Sequence, residues 1–595
     1  MQLSSLDLAI VLAYFALVVA VGLYYSRRAG RGPEEFFLSG RRLPWWLLGT
    51  SMVATTFSTD TPNLVADIVR SNGVSGNWVW WAFVVTGMCT VFFYAKLWRR
   101  SRALTDIGFY ELRYSGRPAA FLRGFRALYL GVFFNVMIMA SVTLAAIKIG
   151  GVLLGLDPVT IVIGCAAVTA LYSAMAGLWG VVVTDLLLFV MAMAGSLAAA
   201  YYSLQRPEVG GLAGLISSPE LAGRLSLLPD FNDWETALAV FIVPLAVQWW
   251  STWYPGAEPG GGGYVAQRML AARDERQSML SVLWFNAAHY GLRPWPWIIV
   301  ALCSLLVFPT LESIQQAFPD LDGSIMGNDL AYPAMLTFLP SGLLGLALAS
   351  LAAAYMSTIS THLNWGSSYI VDDFYRRFLK PRADDRHYVV AGRVSTVFLT
   401  LLASLVALWL ENALQAFQIL LQIGAGTGLI FLLRWFWWRI NAWSEISAML
   451  VSFLVAFYFE FLHAGTGLPL PSSSWRLIVG VAVTSACWLV VTFLTAPADK
   501  AKLQSFYDAI RPHGKGWSRV VDTSRVGHRD SPAAAFTCWF LGCGAVYSIL
   551  FAGGYLIYGR YLLGALLVGL ALLCGWGIMR LFPHALGSQE PIQGS

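Results

Sequence analysis

Hydroxyl side chains gather around one carboxylate in the middle of an apolar run. Residues 44–69 read PWWLLGTSMVATTFSTDTPNLVADIV, in which five serines and threonines surround Asp60 and Pro62 follows closely. Proline removes a backbone donor, and serine and threonine hydroxyls compete for helical backbone groups. We therefore expect this helix to break near residues 54–61. Such a break exposes backbone groups that can bind an ion or a polar solute.

A second apolar run is interrupted more strongly. Residues 243–269 read VPLAVQWWSTWYPGAEPGGGGYVAQRM and contain Pro255, Pro259 and four consecutive glycines from residue 260. Neither proline nor a glycine run continues an ordinary helix, so this run should also unwind in mid-span. Side chains that can hydrogen-bond or stack lie just before the prolines.

A third run carries hydroxyls at helical spacing. In LASLAAAYMSTISTHLNWGSS, Ala354, Ser357 and Thr358 stand at i, i+3 and i+4 and share one face, and Ser360 and Thr361 extend the pattern by a turn. Oxygen ligands suit hard cations. Hydroxyls and carbonyls give a site of low formal charge, which favours monovalent sodium over calcium. Hydroxyls that bond back to their own helix are the alternative.

A lone carboxylate, Asp185, sits in the apolar stretch LYSAMAGLWGVVVTDLLLFV. A charge within a membrane segment is costly and therefore marks function or a specific partner. Asp185 fits a cation ligand, a carboxylate on an exit path, or an acidic residue that complements a helix N-terminus.

The composition indicates that these runs lie in a lipid bilayer. The chain has 595 residues, of which 57% are hydrophobic and 12% are charged, and its mean hydropathy is +0.63. Soluble proteins carry about 25% charged residues. Uncharged runs long enough to cross a bilayer recur from end to end. These features exclude a soluble enzyme, a disordered chain and a disulfide scaffold, and continuous runs exclude an outer-membrane barrel.

The two interrupted runs are the second and the seventh along the chain. Five-helix spacing is typical of two inverted five-helix repeats, each opening with a discontinuous helix. We predict an all-α polytopic membrane protein with about 15 transmembrane helices. Its predicted parts are an extra N-terminal helix and loop (1–43), a first repeat (44–210), a second repeat (211–440), and peripheral C-terminal helices (441–595) with a cytoplasmic loop at about 496–532.

The basic residues predict the orientation. With the N-terminus outside, 31 of the 39 Lys and Arg fall in inward loops and 5 in outward loops. This asymmetry follows the positive-inside rule. The N-terminus is therefore predicted on the outer side of the cell membrane and the C-terminus on the cytoplasmic side. The positive charge therefore orients the chain and does not indicate nucleic acid. The expected partners are the lipid bilayer and a small solute, with no obligatory protein partner evident.

Several stretches together resemble one family. FFLSGRRLPWWLLGTSMVATTFS, YSAMAGLWGVVVTD, QRMLAARDE and AAAYMSTISTHLN followed by VDDFY are similar to the sodium:solute symporter family. The resemblance runs from residue 7 to about 450 and implies the LeuT-type inverted-repeat fold. It implies a sodium-coupled symporter that imports a small polar organic solute by alternating access, with a sugar as the first expectation. It does not imply an enzyme.

The resemblance also implies specific ligands. A principal sodium site would use the carbonyls of Ala54, Phe57 and Ala354 and the hydroxyls of Ser357 and Thr358. A second sodium, present in some relatives, would use Asp185, Ser357, Ser360 and Thr361. The expected solute site lies beside the two breaks and comprises Thr56, Ser58, Asp60, Thr61, Gln248, Trp249, Ser251, Trp253 and, by resemblance, Gln422.

Other functions remain open from the sequence. A proton-coupled carrier would titrate Asp60 or Asp185, and a sodium symporter for an amino acid or a carboxylate would keep the same ion site. A sensor on a transporter scaffold would be expected to carry a long soluble tail. A membrane enzyme would need a catalytic constellation, and the histidines form no HExxH motif.

Overall fold

A computed structural model of the chain describes residues 3–29, 39–56, 58–103, 105–173, 178–252, 259–410, 413–522 and 530–587. Within these ranges the secondary structure is helical, apart from one isolated bridge between Leu43 and Ala272. Ten of the described helices are long and apolar enough to cross a membrane. The expected all-α, multi-span class is thus confirmed, whereas the count of about 15 crossings is not.

The principal helices, in chain order, are α1 (Ser5–Ala29), α2 (Trp45–Thr56), α3 (Asp60–Asn72), α4 (Val74–Ser101), α5 (Gly116–Leu154), α6 (Pro158–Ser173), α7 (Leu178–Leu204), α8 (Trp234–Ala246), α9 (Gly263–Ala271), α10 (Glu275–Val307), α11 (Leu343–Leu379), α12 (Asp385–Ala407), α13 (Ala413–Leu433), α14 (Ala442–Leu462), α15 (Ser473–Leu494), α16 (Lys500–Ile510), α17 (Pro532–Ile557) and α18 (Tyr561–Leu586).

The first predicted break is present. Helix α2 ends at Thr56 and α3 begins at Asp60, while Ser58 and Thr59 between them are not helical. The Thr59 hydroxyl donates to the Val142 carbonyl of α5 at 2.8 Å, which ties the break to a neighbouring span. Hydroxyls that satisfy backbone groups outside their own helix are what the serine- and threonine-rich sequence favours here.

The second predicted break is also present. Helix α8 ends at Ala246, a short 3-10 turn covers Gln248–Trp250, and α9 begins only at Gly263. Gly260 and Gly261 adopt left-handed backbone conformations with φ of 80° and 94°. A Cβ on Gly260 would lie 2.8 Å from the Tyr94 ring, so only glycine fits this bend.

Helix α13 packs directly onto the unwound stretch of the second break. A Cβ on Gly424 would lie 2.0 Å from the Thr252 carbonyl oxygen, and one on Gly428 would lie 1.6 Å from that of Trp250. The Thr252 N–H donates to the Gly424 carbonyl at 3.3 Å. The glycines in the IGAGTG sequence therefore allow the backbone of α13 to contact the backbone of the unwound stretch directly.

The extra N-terminal helix is anchored to the third hydroxyl-bearing run. The Asp7 carboxylate accepts the N–H groups of Gly342 and Gly345 at 2.7 Å each. These groups lie at the start of α11, where a carboxylate satisfies orphan N–H donors and complements the helix dipole. Helix α1 thus fixes the end of the helix that carries Ser357 and Thr358.

The late helices connect to the core by buried charges. Lys96 on α4 pairs with Asp530 at 2.6 Å and donates to the Ala585 carbonyl of α18 at 2.8 Å. The predicted cytoplasmic loop contains α16 and the fully buried Trp517, whose indole N–H donates to the Trp435 carbonyl at 3.0 Å.

Candidate functional site

The end of α2 meets the middle of α11. Thr358 directs its hydroxyl at the Thr55 carbonyl across a distance of 3.5 Å, and Ala54 and Ala354 are both buried at this contact. The last carbonyls of a helix have no partner in the helix itself. The structure thus brings carbonyls at the C-terminal end of α2 to the hydroxyl face of α11. Phe57, the remaining predicted ligand, lies outside the described residues.

A buried carboxylate orients one of these hydroxyls. Ser357 donates to Asp185 Oδ1 at 2.7 Å, and Ser51 donates to Asp185 Oδ2 at 2.6 Å. Asp185 lies two turns into α7 and is fully buried, so it does not complement the helix N-terminus. Because the Ser357 proton is committed to Asp185, the lone pairs of the hydroxyl oxygen remain available to a cation.

Arg268 also reaches this carboxylate, which the sequence interpretation missed. Its guanidinium lies 4.0 Å from Asp185 and donates to the Thr55 hydroxyl at 3.3 Å. Arg268 is 1% exposed within α9, so its charge is buried inside the protein. A buried carboxylate needs a nearby positive charge, and that need was the available signal.

The other predicted ligands of a second sodium lie one turn further along α11. Ser360 donates its hydroxyl to the Ser357 carbonyl at 3.1 Å. The Thr361 hydroxyl is buried and has no hydrogen-bond partner among the described residues. Of the three α11 residues, Ser357 therefore contacts Asp185 on α7, whereas Ser360 bonds back to its own helix.

Residues of the first break contact α9, the helix that follows the second break. Thr56 shares a hydrogen bond of 2.9 Å with the Tyr264 hydroxyl of α9. Thr61 donates to Asp60 at 3.4 Å and accepts the Ser58 N–H at 3.3 Å. Thr56 thus connects the end of α2 to α9, while Ser58, Asp60 and Thr61 form a separate local set of hydrogen bonds.

The predicted solute residues of the second break point in different directions. Gln248 donates to the Val79 carbonyl at 2.5 Å and borders a cavity. Trp249 packs against Trp250 and Trp539, with ring centroids 5.3 and 6.5 Å away, and does not border that cavity. Ser251 is fully buried. Trp253 lies outside the described residues.

The cavity has a volume of about 580 Å³ and lies beside the C-terminal end of α3. Its wall combines α3, α8, α13, α14 and α15, and Gln248 and Gln422 border it. Charged side chains in its wall are Glu235, Glu460 and Arg476, of which the last two pair at 3.6 Å. A volume in this range suits a small polar solute.

Several buried polar atoms around the breaks have no hydrogen-bond partner among the described residues. They are the hydroxyls of Ser58, Ser251 and Thr252, the carboxamide of Asn63 and the nitrogen of the Gln422 carboxamide. Buried polar groups are normally paired, and an orphan group costs about 1–3 kcal/mol. These groups at both breaks are therefore available to a polar ligand or to water.

A second buried arginine lies beside the first break. Arg293 in α10 donates to the Val53 carbonyl at 2.6 Å, and its guanidinium stacks over Trp297 at 4.9 Å. This cation complements the C-terminal end of α2. The sequence analysis assigned it no role, although an arginine in an apolar run is itself a functional signal.

The carboxylates, histidines and cysteines of the described residues form no group of three or more that could hold a metal ion. The oxygens that do converge are carbonyls and hydroxyls of α2 and α11, with one carboxylate already compensated by Arg268. This donor set fits a monovalent cation such as sodium.

Comparisons with known proteins agree with these features. Residues 36–452 match the model of the sodium:solute symporter family. The sodium/glucose cotransporter of Vibrio parahaemolyticus is 25% identical over 480 residues, which cover 77% of this chain and 86% of that protein. The human sodium/myo-inositol cotransporter 2 is 27% identical over 496 residues, covering 77% and 70%. The sodium/mannose cotransporter of Bos taurus is 25% identical over 523 residues, covering 81% and 83%.

Among solved structures, the chain is similar to a Na⁺-coupled sialic acid symporter in a substrate-bound, outward-open state. The TM-score is 0.66 at 21% identity, and the match covers 84% of this chain and 99% of that one. This likeness establishes the fold.

Proposed function

The chain belongs to the sodium:solute symporter family, and on that premise we propose that it imports a neutral, polyhydroxylated solute, such as a sugar or a cyclic polyol, together with sodium. The chain is a multi-pass membrane transporter and not an enzyme. The identity of the solute class and the assignment of the ion ligands are the proposed steps.

The solute class rests on the unpartnered polar atoms at the two breaks. Hydroxyls and carboxamides both donate and accept, so they match a ligand made of hydroxyl groups better than a fixed charge. Asp60 and Arg293 bring charges of opposite sign to the first break, which disfavours a site for a net anion. The curated relatives named above carry glucose, myo-inositol and mannose, which supports the same class.

The principal sodium site is proposed at the contact between α2 and α11. Its ligands are the carbonyls of Ala54, Phe57 and Ala354 and the hydroxyls of Ser357 and Thr358. The proximity of Thr358 to the Thr55 carbonyl and the orientation of Ser357 by Asp185 support this assignment. A cation here bridges the broken helix to α11 and stabilises the conformation in which the solute pocket is complete.

Coupling follows from that bridge. Sodium and solute each favour the same arrangement of α2, α3 and α11, so each raises the affinity of the other by the same factor. The membrane potential contributes about 2.3 kcal/mol per charge per 100 mV, and a tenfold sodium gradient adds about 1.4 kcal/mol. One sodium therefore sustains an accumulation ratio of several hundred-fold.

A second sodium is proposed at Asp185, Ser357, Ser360 and Thr361. The unpartnered Thr361 hydroxyl supports it. Arg268, 4.0 Å from Asp185, opposes it electrostatically, so the site is expected to be weaker than the principal one. A second ion would square the accumulation ratio, which makes stoichiometry directly measurable.

The proposed topology has about fifteen crossings in the cell membrane, with the N-terminus outside and the C-terminus inside. The interrupted runs α2/α3 and α8/α9, together with α1, α6 and α13, add five crossings to the ten long apolar helices. The distribution of basic residues supports this orientation.

The proposal is tested with purified protein in liposomes. Uptake of labelled hexoses, cyclic polyols, amino acids and carboxylates is measured with an inward sodium gradient, a potassium gradient or a pH gradient. We expect sodium-driven accumulation of a hexose or a polyol. Accumulation driven by the pH gradient alone, or of an anion alone, would overturn the proposal.

A further inference from the structure

The short helix α9 is held at both ends by charges that complement its dipole. At its N-terminus, the Gly263 N–H donates to Asp106 Oδ2 at 2.7 Å. At its C-terminus, Arg99 donates to the Ala272 carbonyl at 2.8 Å and Arg41 donates to the Leu270 carbonyl at 3.1 Å. A carboxylate at the N-terminus and cations at the C-terminus are each stabilising.

All three charged residues come from outside α9. Asp106 lies in the segment between α4 and α5, Arg99 ends α4, and Arg41 precedes α2. Each of these bonds joins α9 to a different part of the chain. Besides stabilising the helix ends, they therefore fix where α9 lies.

Asp106 also holds a third element. Its other carboxylate oxygen accepts the hydroxyl of Tyr369, which lies in α11 three turns beyond Ser357 and Thr358. The Trp98 indole adds a hydrogen bond of 2.8 Å to the Gly260 carbonyl just before α9. One carboxylate thus links the inner half of the second interrupted run to the helix that bears the sodium hydroxyls.

Helix α9 closes one side of the candidate site. Tyr264, in its first turn, bonds to Thr56 at the end of α2, and Arg268 reaches Asp185. Ala266, Met269 and Leu270 are fully buried. In the proposed orientation α9 lies on the cytoplasmic side of the breaks, so moving it would open the site inward.

We propose that Asp106, Arg99 and Arg41 form a clamp that keeps α9 closed over the inner side of the site and that opens when the transporter turns inward. Asp106 is the central positioning residue of the clamp because its two carboxylate oxygens bond to α9 and to α11. This proposal rests on the proposed transport function, but the position of α9 can be measured without sodium or solute.

The test uses a reporter cysteine at the fully buried Ala266 in the full-length protein. Inside-out membrane vesicles without sodium are treated with a membrane-impermeant thiol reagent, and the labelling rate of the parent without the reporter is subtracted. Asp106→Asn removes the charge and is expected to raise the labelling rate about three- to tenfold. Asp106→Glu keeps the carboxylate and should restore most of the protection.

Asp274 supplies a matched control. It accepts the Gln277 N–H at 2.8 Å at the start of α10, so it is also a carboxylate at a helix N-terminus, but it caps its own helix. Asp274→Asn should leave the labelling rate of the reporter within twofold of the parent. A smaller increase than that of Asp106→Asn is expected from Tyr369→Phe, which removes one hydroxyl and keeps the ring.

Transport supplies the second readout. If Asp106→Asn lowers the outward-facing fraction, the apparent KM for external sodium rises in inverse proportion to that fraction. The clamp would be overturned if the reporter in Asp106→Asn were labelled at the same rate as in the parent. It would also be overturned if Asp274→Asn raised the labelling rate as much as Asp106→Asn does. If Asp106→Asn fails to fold, the clamp is overturned when the reporter in Tyr369→Phe is labelled at the same rate as in the parent. If uptake by the parent does not depend on sodium, the proposed function is overturned, but the labelling comparison still tests the clamp.

Discussion

Ser357 donates its hydroxyl proton to Asp185, a residue on a different helix, at 2.7 Å. The candidate sodium ligand Ser357 therefore has a carboxylate as its hydrogen-bond acceptor. Its hydroxyl proton points toward Asp185 and not toward the contact between α2 and α11. Two hydroxyls that bond to the two oxygens of Asp185, and an arginine 4.0 Å away, keep its charge compensated in an apolar setting.

Replacing Asp185 separates its structural role from its effect on sodium. Asp185→Asn leaves Arg268 without a counter-charge, and we expect a loss of about 3–5 kcal/mol in the free energy of unfolding. The double variant Asp185→Asn with Arg268→Gln should recover most of that stability. Because the amide no longer orients Ser357 as strongly, the sodium KM of the double variant should remain raised about tenfold. A normal sodium KM in the stable double variant would contradict the orienting role.

Gln422 tests the solute site. Its carboxamide nitrogen has no partner among the described residues and borders the cavity of about 580 Å³. Gln422→Ala should raise the solute KM about three- to tenfold, as expected for one lost hydrogen bond, without changing sodium binding. The control is Gln315→Ala in the short helix Leu311–Ala317, which removes a glutamine that donates to the Leu321 carbonyl. Equal effects of the two substitutions on the solute KM would contradict the assignment.

The ion pair between Lys148 and Asp329 tests how the loop at 309–331 is held. The two side chains are almost fully buried and lie 2.7 Å apart. Lys148→Met leaves a buried carboxylate alone and should lower the free energy of unfolding by about 3–5 kcal/mol, whereas Lys148→Met with Asp329→Leu should cost much less. Thermal unfolding in detergent measures both. If the double variant is as unstable as the single one, packing of the loop and not the ion pair is responsible.

The environment of Asp530 should make the free energy of unfolding depend on pH. Burial alone would raise the pKa of this carboxyl, but the His513 hydrogen bond and the Lys96 charge hold it well below its usual value of 3.8. A depressed folded-state pKa stabilises the protein above pH 3.8, and this contribution is lost as the pH falls further. Asp530→Asn should therefore be less stable at pH 7, with a smaller loss of stability below pH 3.8. Unchanged pH dependence in this variant would contradict the account.

The sequence predicted both helix breaks because their cause is local. Proline, glycine and crowded hydroxyls act on the backbone where they stand, as at Pro62 and Gly260. It also predicted that Ser357 and Thr358 share a helix face, since helical spacing alone determines this.

The partners of these residues could not be predicted in the same way. Arg268 reaches Asp185 and Asp106 reaches Gly263 through tertiary packing, which no spacing within one run encodes. Trp249 likewise turns toward Trp539 of a late helix, a choice that depends on α17 and not on its own segment. All the assignments of sodium and solute ligands remain predictions.

The proposed principal sodium site depends most directly on the hydroxyls of Ser357 and Thr358. Sodium-dependent uptake into liposomes should be measured for Ser357→Ala with Thr358→Ala. The control is Ser350→Ala, which removes a buried serine hydroxyl that bonds to the Ala347 carbonyl of the same helix. We predict that the double variant folds but loses sodium-stimulated uptake, while the control retains it. Normal sodium dependence in the double variant would contradict the account.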